Sequence, residues 1–262
     1  MRLLKFFILS LVLVVGIACQ KRKAAPVMVS APEVVHDQGR VNEDPNGLAP
    51  TIYFVPILNV KKVECQGEDL KPIKNAKGET IARICDSDYK VCVQQGTCLL
   101  SETRGMRIVN FTTRRGKVPT FSENIKKECP YGLGAKDICL DPYYTVAADL
   151  NFHKLGDVVF VPSVRGLQLP NGETHDGYFI VRDSGFGVKS ENRFDFFTGF
   201  DSDSTISNVF KKIGLDEKTN RFKHEKVSDD IAGKVRAKRN YPKINKKQLA
   251  ESNAFIKSAM AR

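Results

Sequence analysis

Residues 177–200 read GYFIVRDSGFGVKSENRFDFFTGF. Two apolar runs flank a polar centre that opens with Asp183-Ser184-Gly185, the pattern of two short strands joined through a turn. The second strand is unusual. Aspartate is a poor strand former, yet Asp195 stands between Phe194 and the pair Phe196-Phe197. A carboxylate shielded by such neighbours costs free energy unless it is paired or protonated. The two-residue alternation of a strand equally allows Asp195 to face water, and Asp183 ahead of Ser-Gly also suits a plain turn.

Outward from this stretch the texture repeats. TIYFVPI at 51–57, MRIVNFTT at 106–113, YYTVAADL at 143–150 and DVVFVPS at 157–163 are short apolar or alternating runs separated by turn residues. They predict a mainly β domain over 51–203, a small barrel or sandwich with ample length for one core. The interval of about 64–140 has few apolar runs and holds Cys65, Cys85, Cys92, Cys98, Cys129 and Cys139. An even set of cysteines confined to one stretch reads as disulfides in an oxidising compartment, with 15 possible pairings left open. A zinc site would need CxxC pairs or nearby histidines, and this stretch has neither. The interval therefore reads as a disulfide-stapled insertion on the β domain.

The chain begins with a short basic start, Met1 to Lys5, and a mostly apolar run to Ile17, the layout of an export signal over 1–18. The following Gly16-Ile17-Ala18-Cys19 resembles the lipobox of bacterial lipoproteins, which implies lipidation at Cys19. Gln20 after that cysteine, by the same resemblance, favours the outer membrane. Residues 19–50 are rich in Pro, Ala and polar residues without periodicity, a flexible tether with a span on the order of 30 Å. Beyond the β domain, residues 204–262 carry 15 basic and 6 acidic residues. SNVFKKIGL at 207–215 has helical spacing and is expected to pack on the sheet. The rest of this extension reads as a basic, partly helical and solvated tail.

The formal charge of +11 falls to about +9 without Arg2 and Lys5. Such a balance suits polyanions. For an exported chain without a nucleic-acid motif, the anionic partners are cell wall and lipid headgroups, not nucleic acid. His36, His153, His175 and His224 have no metal-ligand spacing, and no GxSxG or Walker loop is present. No metal or organic cofactor is expected. His175 reads as an exposed loop histidine and Tyr143-Tyr144 as core.

Three segments together carry a resemblance. VAADLNFHKLGDVVFVP at 146–162, GYFIVRDSGFG at 177–187 and NRFDFF at 192–197 resemble the three-aspartate (3D) domain found in the murein lytic transglycosylase A family. The three acids are Asp149, Asp183 and Asp195. Lys154 and Asp157 stand where the family has proline and threonine, and Ser184, Phe186 and Ser190 where it has threonine, glycine and glycine. Phe186 sets a bulky ring beside the expected cleft.

The resemblance implies a double-psi β-barrel and a peptidoglycan-cleaving enzyme that cuts between N-acetylmuramic acid and N-acetylglucosamine to leave 1,6-anhydro ends. The substrate's own hydroxyl then serves as nucleophile, so one residue acts first as acid and later as base. By resemblance that residue is Asp195, with partial desolvation by its aromatic neighbours raising its pKa. Asp183 is expected at the cleft wall, where its charge would raise Asp195 further. Asp149, Ser184, Gly185 and Lys189 are candidate substrate contacts, Asp149 also as a loop holder. Two other functions remain open: a muramidase-type hydrolase in which Asp183 and Asp195 share duties, and a non-catalytic expansin-like wall-binding lipoprotein.

Overall fold

The computed structural model describes residues 46–61, 63–103, 105–115, 118–201 and 208–260. The expected signal, the lipidation site Cys19 and most of the tether lie outside them. Eleven strands and four helices follow along the described chain: β1 (Ala49–Asn59), β2 (Leu70–Lys74), β3 (Thr80–Cys85), α1 (Asp86–Gln95), β4 (Thr97–Glu102), β5 (Gly105–Arg115), β6 (Val118–Glu123), β7 (Thr145–Ala148), β8 (Val158–Phe160), β9 (Tyr178–Asp183), β10 (Arg193–Asp201), α2 (Val209–Lys212), β11 (Glu225–Lys226), α3 (Asp229–Lys238) and α4 (Lys246–Met260).

Nine strands form one mixed sheet in the order β11-β8-β9-β7-β10-β1-β4-β5-β6, and β2 pairs with β3 apart from it. The chain is mainly β, as its texture predicts. The pairings run open from β11 to β6 and do not close into the expected barrel. The long strand β1 explains the extent of the sheet. Its first part pairs in parallel with β10, its register shifts between Tyr53 and Val55, and Ile57 to Asn59 then pair in parallel with β4. One strand thus serves both the sheet that carries the aspartates and the β4–β5–β6 meander of the insertion.

Alternation along β10 sorts its side chains between two cores. Phe194 and Phe196 pack with Val146, Ala148, Phe179 and Val181, and Val209 and Phe210 of α2 cover them. Phe197 packs on the other side with Tyr53, Val55, Ala147 and Val188. Burying Phe194 and Phe196 contributes roughly 2–3 kcal/mol each. That exceeds the roughly 1 kcal/mol range of strand propensity, so the phenylalanines hold Asp195 in a strand that aspartate alone would not form.

The insertion has an apolar centre of its own, which its composition concealed. Ile73, Ile84, Cys92, Cys98, Leu100, Val109 and Phe121 are buried together with Leu58 of β1. Its bridges are Cys65–Cys85, Cys92–Cys98 and Cys129–Cys139. All three join cysteines near in sequence, each expected to contribute on the order of 3 kcal/mol by restricting the unfolded chain.

The basic extension is not a solvated tail. Ala232 and Val235 of α3 pack with Val158 and Ile180, while Ile244 and, in part, Leu249 and Phe255 join the core on the Tyr53 side. The anchor is Arg239, whose guanidinium donates to both oxygens of Asp141 at 2.9 Å and lies 3.5 Å over the Tyr144 ring. Asp141 is fully buried. The burial of this arginine is set by a carboxylate 98 residues away, which no local pattern reveals.

Candidate functional site

The site is built from a row of residues across four strands. Ala147 of β7 pairs in register with Asp183 of β9 on one side and with Asp195 of β10 on the other. Asp195 in turn pairs with Thr51 of β1. Residues opposite each other in a sheet point to the same face. The row Asp183, Ala147, Asp195, Thr51 therefore sets two carboxyls on one face, two strand spacings apart, about 10 Å between backbones. Ala147 between them is buried in the core that Tyr53, Val188 and Phe197 share. The extra residue that makes this row possible is Arg182, where the β7–β9 register shifts between Val146 and Ala147.

Asp195 is half-buried. Its Oδ1 accepts the Thr51 hydroxyl at 2.7 Å, and the Thr51 oxygen accepts an N–H of Arg193 at 2.6 Å. Because Arg193 occupies the oxygen of Thr51, the hydroxyl proton is directed at Asp195. Burial pushes the Asp195 pKa above the ordinary carboxylate value, and the Thr51 hydrogen bond and the Arg193 charge offset only part of that rise. The shielding does not come from Phe194 and Phe196, which pack into the opposite core.

Asp183 is the more strongly perturbed acid. Burial raises its pKa to about 7, the charge of Asp195 adds to the rise, and hydrogen bonds from the Ser184 N–H, the Tyr53 hydroxyl and the Ala135 N–H hold it back. The Ser184 N–H lies 2.8 Å from Oδ1 and the Tyr53 hydroxyl 3.2 Å from Oδ2. Tyr53 is buried, and burial with the two carboxyl charges drives its own pKa well up, so it remains a donor. The repulsion between the two carboxyls is mutual, and burial is the larger cause of the rise at both.

Ala135 reaches the site because of the glycine before it. A Cβ on Gly134 would lie 2.5 Å from the Arg182 carbonyl, so a larger residue could not let this loop approach β9. The Cys129–Cys139 bridge and the Leu133–Cys139 pairing close the same loop. Arg182 itself is fully buried and donates to the carbonyls of Cys139 and Lys243 at 3.1 and 2.8 Å.

The remaining candidates sit around this row. Asp149 leaves the end of β7 and holds a loop: Oδ1 accepts the Asn151 N–H and amide, and Oδ2 accepts the Ser190 N–H at 3.1 Å. Those backbone bonds, with help from Lys189, keep its pKa low. Ser184 contributes its backbone N–H, Gly185 starts a turn closed by the Val188 N–H at 3.2 Å, and Lys189 is exposed beside Asp149. His175 is not an exposed loop residue. It is 1% exposed, its Nδ1 accepts the Gly177 N–H, and its Nε2 therefore donates to the Tyr143 carbonyl at 2.6 Å. Burial lowers its pKa to about 4, so it is a neutral core residue away from the carboxyls. Tyr144 is core, as expected.

Thr51, Tyr53, Arg193 and the Ala135 N–H were not legible as site residues. The alternation of TIYFVPI places Thr51 and Tyr53 on one face, but nothing local says that β1 lies beside β10. Among the described residues, no group of three or more His, Cys, Asp or Glu side chains is arranged to hold a metal ion.

Comparison with curated proteins returns no match. Solved structures with similar chain traces include MltA of E. coli with bound chitohexaose (TM-score 0.48, 13% identity, 70% of this chain and 72% of that one). Others are a membrane-bound lytic murein transglycosylase from Agrobacterium tumefaciens (0.45, 14%, 70% and 73%) and MltA from Neisseria gonorrhoeae (0.40, 13%, 66% and 70%). The family model described as the 3D domain matches residues 144–208. That span contains β7, β9 and β10 with Asp149, Asp183 and Asp195, and this part of the chain is a 3D domain.

Proposed function

We propose that this protein is an exported peptidoglycan lytic transglycosylase that cleaves the MurNAc–GlcNAc bond, with Asp195 as its acid and base. The observation that carries this reading is the row that sets Asp195 and Asp183 on one face within a 3D domain, both with raised pKa values. Glycosidic cleavage needs a proton at the leaving oxygen and support for positive charge at the anomeric carbon. With Oδ1 of Asp195 held by Thr51, Oδ2 is the oxygen offered to the glycosidic bond. After the leaving group departs, the same carboxylate takes the proton of the sugar's 6-hydroxyl as that oxygen closes the anhydro ring. Asp183, whose pKa is raised to about 7 by burial, keeps its proton up to near neutrality and offers a hydrogen-bond partner beside the acid, and Ser184, Gly185, Lys189 and Asp149 shape the adjoining loops.

The parallel pairs β1–β10 and β7–β9, each joined by a long connection, support a double-psi arrangement of the strands that bear the acids. The basic balance suits an anionic wall, and the lipobox resemblance at Cys19 supports a lipid anchor in the outer membrane facing the periplasm. A hydrolase of the same bond is the second reading. Carboxyls on strands about 10 Å apart leave space for a water between them, as pairs that activate water require.

Digestion of purified sacculi followed by mass spectrometry tests the proposal. Wild type should release muropeptides one water lighter than a hydrolase would, and Asp195→Asn should lower the rate by about a hundredfold to ten-thousandfold. Hydrated products would turn the reading to the hydrolase. Sacculus solubilisation by Asp195→Asn at the wild-type rate would remove Asp195 as acid, and binding without turnover by wild type would leave a wall-binding module.

A further inference from the structure

Arg193 is buried, and two residues before Asp195 on β10 it shares a strand face with the acid. Its guanidinium is spread over three oxygens. Nη1 donates to the carbonyls of Phe194 and Ala49 at 2.6 and 3.0 Å, and Nη2 donates to the Thr51 hydroxyl oxygen at 2.6 Å. Its Nε is buried with no partner, and burial lowers the pKa of the group against the pull of the Asp195 charge. A desolvated cation with an unmet donor is costly. Strand pairing does not explain it, because the backbones of β1 and β10 pair on their own from Ala49–Arg193 to Tyr53–Phe197.

The hydroxyl between cation and acid does explain it. A guanidinium set directly on a carboxylate would hold it ionised and leave the acid no proton to give. Threonine donates one hydrogen bond and accepts others, whereas arginine only donates. With Nη2 on its oxygen, the Thr51 hydroxyl gives its proton to Oδ1 of Asp195, at 2.7 Å. Oδ1 then receives a hydrogen bond whether Asp195 is protonated or ionised. The other ionisable groups that act on Asp195 are Asp183 of β9, across Ala147, and Tyr53 of β1. Burial keeps both protonated below neutrality, so Arg193 is the charge that bears on Asp195 in that range.

We infer that Arg193 is a positioning residue for the acid: acting through the Thr51 hydroxyl, it keeps Oδ1 of Asp195 an acceptor in both protonation states and so confines the transferable proton to Oδ2. This rests on the reading of Asp195 as acid and base. The proton leaves Oδ2 for the glycosidic oxygen and returns to Oδ2 from the sugar's 6-hydroxyl, while the Arg193–Thr51–Oδ1 chain stays unchanged through both steps.

The test follows the Asp195 carboxyl itself, by carbon NMR titration of the full chain labelled at aspartate carboxyls, with Asp195→Asn to assign the signal. Thr51→Val, close in shape, should move the Asp195 midpoint up by about 0.5–1 in pH, because a hydrogen bond to the ionised form is lost. Arg193→Met should move it the same way, and Arg193→Lys, which keeps a donor-only cation, should bring it most of the way back. In Thr51→Val/Arg193→Met the two shifts should not add, since one residue acts through the other. On soluble glycan strands Arg193→Met should lower kcat by about tenfold with KM near wild type, and carry the alkaline limb of kcat upward, because an acid of higher pKa keeps its proton to higher pH. An unmoved midpoint in Thr51→Val would overturn the inference, since the hydroxyl would then not hold Oδ1. Shifts that add in full would also overturn it, since Arg193 would then act by its charge alone. Failure of the enzymatic reading is separate: it would appear as absence of cleavage by wild type, whereas the titrations need no turnover.

Discussion

Asp183→Asn should make the protein more stable at alkaline than at acidic pH relative to wild type. The native carboxyl titrates at about 7 against an ordinary value of 3.8, mainly because it is buried. In the unfolded chain it ionises normally. Between about pH 4 and pH 7 the folded state therefore keeps a proton that the unfolded state has lost, and stability falls as pH rises. The penalty is absent below the unfolded value and complete above the folded one, where it reaches about 4 kcal/mol. Asparagine keeps the shape and an acceptor for the Ser184 N–H, and it has no charge to desolvate. The stability gap between variant and wild type should therefore widen by about 2.5 kcal/mol between pH 5 and pH 8. Urea titrations with disulfides oxidised would show this as a growing separation of midpoints, about 1 M at the upper pH. A gap that stays constant over that range would refute the argument, because it would mean Asp183 is solvated enough to ionise freely in the fold.

Two further substitutions probe what holds the site in place. Arg239→Ala leaves Asp141 fully buried with Arg182 at 3.6 Å as its remaining cation, and should cost about 3–5 kcal/mol in urea unfolding. Adding Asp141→Asn should recover part of that loss; no recovery would place the cost in the packing of the arginine stem. Ser190 has φ of +103°, a backbone conformation that favours glycine, and its N–H bond to Asp149 survives the change to glycine. Ser190→Gly should thus raise stability by about 1 kcal/mol, and a lowered melting temperature would show that the serine side chain contributes more than the strain costs.

The strand runs, the turn after Asp183 and the cysteines destined for pairing were all legible in the chain, because each is written in a few adjacent residues. The same holds for the three aspartates, whose flanking motifs carry the 3D resemblance. The connectivity of the disulfides was not legible, since it depends on which strands bring Cβ atoms together. Nor was the burial of His175 and of the basic extension, where polar residues look solvated until distant partners such as the Tyr143 carbonyl and Asp141 are placed beside them.

The pairing of Asp195 with Thr51, 144 residues apart in the chain, is of a different kind. A strand's own residues specify which of its side chains share a face, and RFDFF does this well: phenylalanines at alternate positions demand a core and leave the aspartate on the opposite side. They do not specify the neighbouring strand or its register, and a slip of one residue would turn every side chain to the wrong face. The β7–β9 register shift at Arg182 brings Asp183 level with Ala147, and β1 laid parallel to β10 supplies the hydroxyl that holds the acid. These choices come from the packing of both cores at once, so the carboxyls are present in the sequence while their separation and their raised pKa values belong to the folded sheet.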